Sequence, residues 1–558
     1  MNQIRFLVLL SLVLIQVKII PPVHSQASSA IESQSVQAPV LKWQHGGCFS
    51  SWCETGWYSS PAVADLDGDG RPEVIGSGYS IVVLDGETGE LAWRVSSGHD
   101  RTEPGAGNVG RTWPGVVVAD IDGDGNLEIA TAHGAGYVSV YNHLGYFETG
   151  WPQRPVSSEL RGLAVFDLEA DGAMEILVTG AVSDQINAWV FEHNGGVRAG
   201  WPQLSDDSGY AWGIFNDNAA VGDVDGDGFA EIIIPSDVHY INAYEENGAQ
   251  IPAHLMYGGK GWGKVGVWES PETELRGWGT CSAGDDRSER YRANFAHGAS
   301  VIADLNADGT KEVIVTGNVY DCIPGYPSQY TGVYIFDADR SRFDASGFDW
   351  DVAPHDTGAP LSEDYDLIEN AQPNPVIADL DGDGNKEILY ASYDGRVHAF
   401  WLDKNEHGSW PYAVYNPAQG FYTFASEPVI ADLDNNGTAE VIFASWVQKG
   451  VHQSGSIYVL DYLGNAVHQV GIPPAFGAAD WNGSLAAPTL ADIDGDPDLE
   501  LVLNSAHSGL IAYDLPGTGE ARVLWGTGRG SFQRDGNLKM EAIVSYEHQV
   551  FLPVMQRD

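Results

Sequence analysis

The chain alternates short apolar runs with short polar loops, and nowhere sustains the 3.6-residue period of a long amphipathic helix. Around its first acidic loop the order is "PAVAD", "LDGDGRP", "EVIGSG", "SIVVLDGETG" and "LAWRVSS". The apolar pieces are β-branched, punctuated by Gly and too short for helices, so they predict four strands. A second copy reads "LEIATAHG", "YVSVYNHLG" and "FETGWP", and a sixth reads "KEILYASYDG", "RVHAFWLD" and "GSWPYAV". Four-stranded antiparallel units repeated in this way predict an all-β β-propeller. One unit cannot bury its own sheet faces and must stack on neighbours until a ring closes.

The polar loop is the most regular part of the repeat. It begins at Asp65, Asp120, Asp167, Asp223, Asp304, Asp379, Asp432 and Asp492. Position 3 holds Asp67, Asp122, Glu169, Asp225, Asn306, Asp381, Asp434 and Asp494, and position 5 holds Asp69, Asp124, Asp171, Asp227, Asp308, Asp383, Asn436 and Asp496. Position 9 is Glu in every copy: Glu73, Glu128, Glu175, Glu231, Glu312, Glu387, Glu440 and Glu500. Position 2 is always Leu, Ile or Val. Alternation therefore sends the acids to one side while Leu66, Ile121, Leu168 and their equivalents point into a core. Converging oxygen donors predict a calcium loop. An EF-hand is excluded, because its position 12 is Gly76 here and its flanks are strands. The competing reading is a plain hairpin turn, which would need one Asp and a Gly.

In strand–loop–strand context, D-x-[DN]-x-[DN]-G-x-x-[DE] resembles the FG-GAP and related VCBS repeats, best known from integrin α-subunit propellers. The resemblance covers residues 59–536 and implies a calcium loop between the first two strands of each blade. It also implies a backbone carbonyl ligand from Arg71, and at the same offset from Asn126, Ala173, Phe229, Thr310, Asn385 and Thr438. The chain departs from the pattern in places. The Phe-Gly signature is absent, and only "AAP" before the eighth loop matches Gly-Ala-Pro. Pro497 replaces the turn glycine of the eighth loop, and Glu169 puts a longer arm into the third. Eight loops imply eight four-stranded blades, with seven as the alternative. "LWGTGRGSFQ" is expected as the final strand of the last unit, and "VLKWQ" as a strand that closes the ring.

A formal charge of -49, from 28 basic against 77 acidic residues, argues against nucleic acid or an anionic membrane as partner. About seven or eight calcium ions would offset part of it. Arg5 followed by "FLVLLSLVLI" and "PPVHSQA" predicts a signal peptide over residues 1–25, then a linker over 26–58 and a tail over 537–558. No other stretch is long and apolar enough to span a bilayer. The expected location is extracellular. In an exported chain the four cysteines favour disulfides; Cys48 with Cys53 and Cys281 with Cys322 is the simplest of three connectivities.

Catalytic signatures such as G-x-S-x-G, H-E-x-x-H or a P-loop do not occur, and no enzyme is expected. "VLDGETGELAW" resembles the Trp-docking strand of quinoprotein dehydrogenases, but is complete only in the first unit. His133, His297 and His507 read as turn residues, and Trp151, Trp201 and Trp410, recurring at one phase of the unit, as packing residues. The insertion from Met256 to Asn294 does not recur; its Trp262, Trp268 and Trp278 are the candidate ligand-binding surface, with "DCIPGYPSQYTG" second. Together these features predict a secreted, monomeric, calcium-binding propeller. It would act as a binding or adhesion module for a protein or cell-surface ligand, the alternatives being a lectin-like carbohydrate binder or a propeller polysaccharide lyase.

Overall fold

The computed structural model describes residues 36–46, 56, 58–182, 186–203, 219–235, 240–266, 295, 298–319, 330–351, 353–354, 356, 368, 371–477 and 479–538. The leader, the four cysteines, Trp268, Trp278, His297 and most of "DCIPGYPSQYTG" lie outside the described residues.

Eight antiparallel sheets each hold one acidic loop between their first two strands. The first is Ala62–Ala64, Glu73–Ser77, Ser80–Asp85 and Leu91–Ser96, the strands expected from the sequence. The inner strands of the second to seventh sheets are Val117–Ala119, Leu160–Phe166, Ala220–Gly222, Ser300–Ala303, Val376–Ala378 and Val429–Asp432. The eighth runs from Thr489–Ala491 through Leu499–Asn504 to Leu510–Leu515. In the second and third sheets the outermost strand shrinks to isolated bridges such as Tyr141–Phe147 and Phe191–Val197. Pro152 and Pro202 lie there and cannot donate to a ladder.

Each sheet packs face to face on the next, and the buried side chains pool between them. Val140, Trp151, Leu163 and Ile176 join the second sheet to the third, and Leu177, Val190, Val221 and Ile232 the third to the fourth. Further clusters link the fourth through to the eighth. Val74 and Val82 then meet Val502 and Ala512, joining the eighth sheet back to the first. The ring is closed, and the molecule is a β-propeller.

Indole nitrogens stitch neighbouring sheets as well. Trp93 donates to the His143 carbonyl at 2.9 Å, Trp151 to His193 at 2.9 Å, Trp262 to Ala338 at 3.1 Å, Trp350 to Leu402 at 3.0 Å and Trp410 to Tyr462 at 2.9 Å. Each bond crosses from one sheet to a turn of the next.

Both chain ends enter the ring. Val40–His45 pairs with Leu510–Leu515 as the outer strand of the eighth sheet, so "VLKWQ" closes the ring as expected. "LWGTGRGSFQ" does not complete that sheet. With its outer edge taken, Arg522–Trp525 pairs instead with Val429–Asp432, the innermost strand of the seventh sheet.

From there the chain follows the axis. Gly526 O accepts from Leu490 N at 2.8 Å, Phe532 O from Val118 N at 3.1 Å, Gln533 O from Val165 N at 2.9 Å, Asp535 O from Val221 N at 2.8 Å and Gly536 O from Ile302 N at 2.9 Å. The segment thus visits the inner strands of the eighth, second, third, fourth and fifth sheets in turn. Two buried arginines add side-chain ties. Arg534 donates to the carbonyls of Val116, Ser60 and Pro61 at 2.9, 3.1 and 2.9 Å, and Arg529 to those of Ala219, at 2.8 Å, and Ser300.

Replacing Arg534 by Ala strands several buried carbonyls and is expected to cost roughly 3 kcal/mol or more in chemical denaturation. Lys at this position should not restore the loss, because a single ammonium cannot reproduce the planar fork. A cost below about 1 kcal/mol would show that the axial ties are incidental.

Candidate metal centres and the hub basin

In all eight loops the position-9 glutamate folds back onto its own loop. Its Oε2 accepts from the backbone N–H of position 2: Leu66 at 2.9 Å from Glu73, Ile121 at 2.8 Å from Glu128, Val224 at 2.6 Å from Glu231, Leu380 at 2.7 Å from Glu387 and Ile493 at 2.9 Å from Glu500. The same bond holds in the other three loops. The residue that donates it is always a core residue. Leu66, Ile121, Leu168, Val224, Leu305, Leu380, Leu433 and Ile493 are all buried, as the alternation predicted. The first aspartate caps the turn: Asp65 Oδ2 accepts from Gly70 N at 2.9 Å, and Asp379 Oδ2 from Gly384 N at 3.0 Å. Gly70 and Gly384 have φ of 86° and 96°, a conformation that favours glycine.

Burying a carboxylate beside other carboxylates opposes its ionisation. Desolvation pushes Glu73 and Glu231 up to about 7, Glu128, Glu312, Glu440 and Glu500 to about 8, and Glu387 to about 9; nearby loop aspartates add to the effect. The loops therefore hold a charge deficit that a cation would relieve.

The donor geometry fits calcium. Oxygens of Asp65, Asp67 and Glu73 lie within 4.8 Å of one another, as do those of Asp120, Asp122 and Glu128, and of Asp223, Asp225 and Glu231. That span suits one ion with oxygen ligands at about 2.3–2.6 Å. Buried Glu231 Oε1, Glu387 Oε1 and Asp120 Oδ1 have no hydrogen-bond donor among the described residues, as expected of oxygens reserved for a metal.

Three loops depart from this scheme. In the eighth, Pro497 has no N–H for Asp492 Oδ2, which leaves the bond from Gly495 N to Asp492 Oδ1, at 2.7 Å, that the fourth and sixth loops also make. There Lys42 of the closing strand bonds Asp494 and lies 3.4 Å from Glu500 Oε1. In the third, Arg198 Nη1 lies 2.7 Å from Glu169, 3.5 Å from Glu192 and 3.7 Å from Glu175. In the seventh, Arg522 meets Asp432 at 2.8 Å.

The Trp262 expectation is overturned. Its side chain is fully buried against Phe336, under Arg340, and its indole is one of the inter-sheet ties. It makes the same inter-sheet tie as Trp151, although eight extra residues separate it from the preceding turn. His133 is buried, bonded to Thr112 and Thr131, and kept neutral by burial, which pushes it down to about 3. His507 packs edge-on against Trp481.

A second constellation was not read from the sequence. Tyr58, Trp113, Arg161, Glu427, Arg529 and Arg534 line a solvent-open basin of about 390 Å³. Its lining residues outside the axial segment precede or begin the inner strands, whose other ends carry the acidic loops, so it lies at the opposite end of the ring, beside Gly528, Arg529 and Arg534 of that segment. Trp113 is held 3.9 Å from Tyr58, with Arg111 3.8 Å and Arg161 3.3 Å over its ring. Arg161 pairs with Glu159 at 2.7 Å, and Glu427 accepts from Arg529 N and Asn374. Arg529 and Arg534 also donate to backbone carbonyls, and the basin is lined by three arginines against one glutamate in a strongly acidic protein. Nothing local in the sequence marks these residues, because they meet only through ring closure.

Residues 379–443, from the sixth loop into the seventh sheet, match the FG-GAP-like repeat. No curated protein matches the chain. Similar solved structures include the biofilm matrix protein Bap1 of V. cholerae, at 14% identity and a TM-score of 0.39, covering 86% of this chain and 92% of that one. BamB from Moraxella catarrhalis is 12% identical with a TM-score of 0.40, over 82% of this chain and 94% of its own. The exotype rhamnogalacturonan lyase YesX is 15% identical with a TM-score of 0.46, over 86% and 75%.

Without metal, the folded protein holds protons on these glutamates that the unfolded chain releases near pH 4.5. Stability of the chelator-treated protein should therefore fall as pH rises from about 5 to about 8. Calcium must displace the same protons, so its stabilising effect should grow over that window. Melting temperatures with chelator and with calcium should diverge as pH rises; a constant gap would contradict this.

Proposed function

We propose that this protein is an exported, eight-bladed, calcium-stabilised propeller that works as a binding module for an extracellular protein or glycan ligand carrying acidic groups. The repeated loops support calcium as a structural ion that stiffens one end of the ring. The observation that carries the binding reading is the net-positive, aromatic-walled basin at the other end, in a chain of charge -49. An acidic surface repels anions in general, whereas a concave cationic patch on a low-dielectric floor focuses them locally. A ligand carboxylate or sulfate would compete with Glu159 for the planar fork of Arg161. Among the described residues no helix is long and apolar enough to cross a membrane.

The test is an array of uronic-acid and sulfated oligosaccharides, their neutral counterparts and acidic peptides. Acidic probes should be captured intact, and capture should weaken steeply between about 50 and 200 mM salt. Arg161→Gln should cut capture about tenfold or more while leaving the melting temperature in calcium nearly unchanged. Preferential capture of neutral probes, or release of cleaved products, would refute the reading.

A further inference from the structure

In two of the eight acidic loops a cation supplied by the chain reaches both the position-3 acid and the position-9 glutamate, whereas Arg522 meets the first aspartate of the seventh. Resting on the calcium reading above, the geometry points to a divided set: the third and eighth loops are neutralised internally, by Arg198 and Lys42, and the remaining loops are the ones that take calcium.

The third loop makes the case most fully. Arg198 is nearly buried, and its Nη1 touches both Glu169 oxygens, at 3.0 and 2.7 Å. The same nitrogen is within 3.7 Å of Glu175, the position-9 ligand. It stands among Glu169, Glu175 and Glu192, whose oxygens lie within 4.8 Å of one another. A metal at their centre would need ligands at about 2.3–2.6 Å and would lie against the guanidinium. Two like charges cannot share that space. The guanidinium is also anchored, its Nε donating to Glu246 O at 3.0 Å. The longer arm of Glu169 is therefore what lets position 3 reach the arginine, and this substitution has a structural reason.

Comparison with the second sheet shows the swap. Arg198 N bonds Val190 O at 2.9 Å, and Glu148 N bonds Val140 O at 2.9 Å. Both follow a Gly-containing turn and precede Gly-Trp-Pro. One structural position thus carries an acid beside the second loop and a base beside the third. Glu148 adds its charge to those that push Glu128 up.

In the eighth loop the cation comes from the closing strand. Lys42 sits at a register shift between Leu41 and Trp43, and its ammonium meets Asp494 and Glu500, ligand positions 3 and 9. Here an internal charge and the missing Pro497 donor act together.

The test uses the full chain stripped with chelator and titrated with calcium alone. Equilibrium dialysis should give about six ions for the natural chain. Arg198→Glu, which copies the second sheet, should bring the count to about seven, and Arg198→Lys should leave it unchanged. Hydrogen exchange on the natural chain is the check that needs no variant. Calcium should protect residues 65–73 and 223–231, while 167–175 and 492–500 should exchange alike with and without it. A chain that binds no calcium would sink the underlying reading. Eight ions on the natural chain, an unchanged count in Arg198→Glu, or calcium-dependent protection of 167–175 would overturn this inference alone.

Discussion

Every strand nearest the axis of this ring has one edge paired within its sheet and one edge facing the centre. Those central backbone groups must be satisfied, and the inner strands are mostly three or four residues long, too short to hold themselves. The chain resolves this with its own segment from Arg522 to Leu538, which accepts from one inner strand after another and seats Arg529 and Arg534 among their carbonyls. An apolar side chain placed on the axis would have filled space without pairing backbone. The sheets, the loops at one end and the basin at the other are all positioned by this axial pairing.

A second constraint is electrostatic. Each inner strand turns into its neighbour through a loop whose last acid must be buried to tie the turn, so the tie itself creates a desolvated carboxylate. A desolvated carboxylate needs a proton, a metal or a side-chain cation. The ring offers examples that suit each solution: glutamates held partly protonated, buried oxygens without donors, and loops met by Arg198 or Lys42. The same local script thus tolerates different chemistry from sheet to sheet.

The loops, their register with Leu66 and its equivalents, and the four strands of the first sheet were legible because each depends on contacts within a dozen residues. So was the closing role of "VLKWQ", an alternating run outside the repeat. What escaped depends on neighbours distant in the chain. Arg198 lies 29 positions from Glu169 and Lys42 lies 452 from Asp494, so neither pairing leaves a local signature. Trp262 was misread for a related reason. It lies 14 residues after Gly248 of its turn, where Trp151 follows Gly145 by 6, so the sequence hid that both make the same inter-sheet tie. "LWGTGRGSFQ" looked like one more outer strand because sequence alone does not say which sheet edge is free.

The axial segment also imposes an order of events. It follows all eight sheets in the chain, so the growing polypeptide can pair strands within sheets but cannot complete its centre until every sheet has been made. Until then the unfinished ring presents a row of open inner edges, each able to accept a strand from another chain. A premature stop codon shortly before Arg522 would keep all eight acidic loops, yet leave the product with those edges permanently exposed.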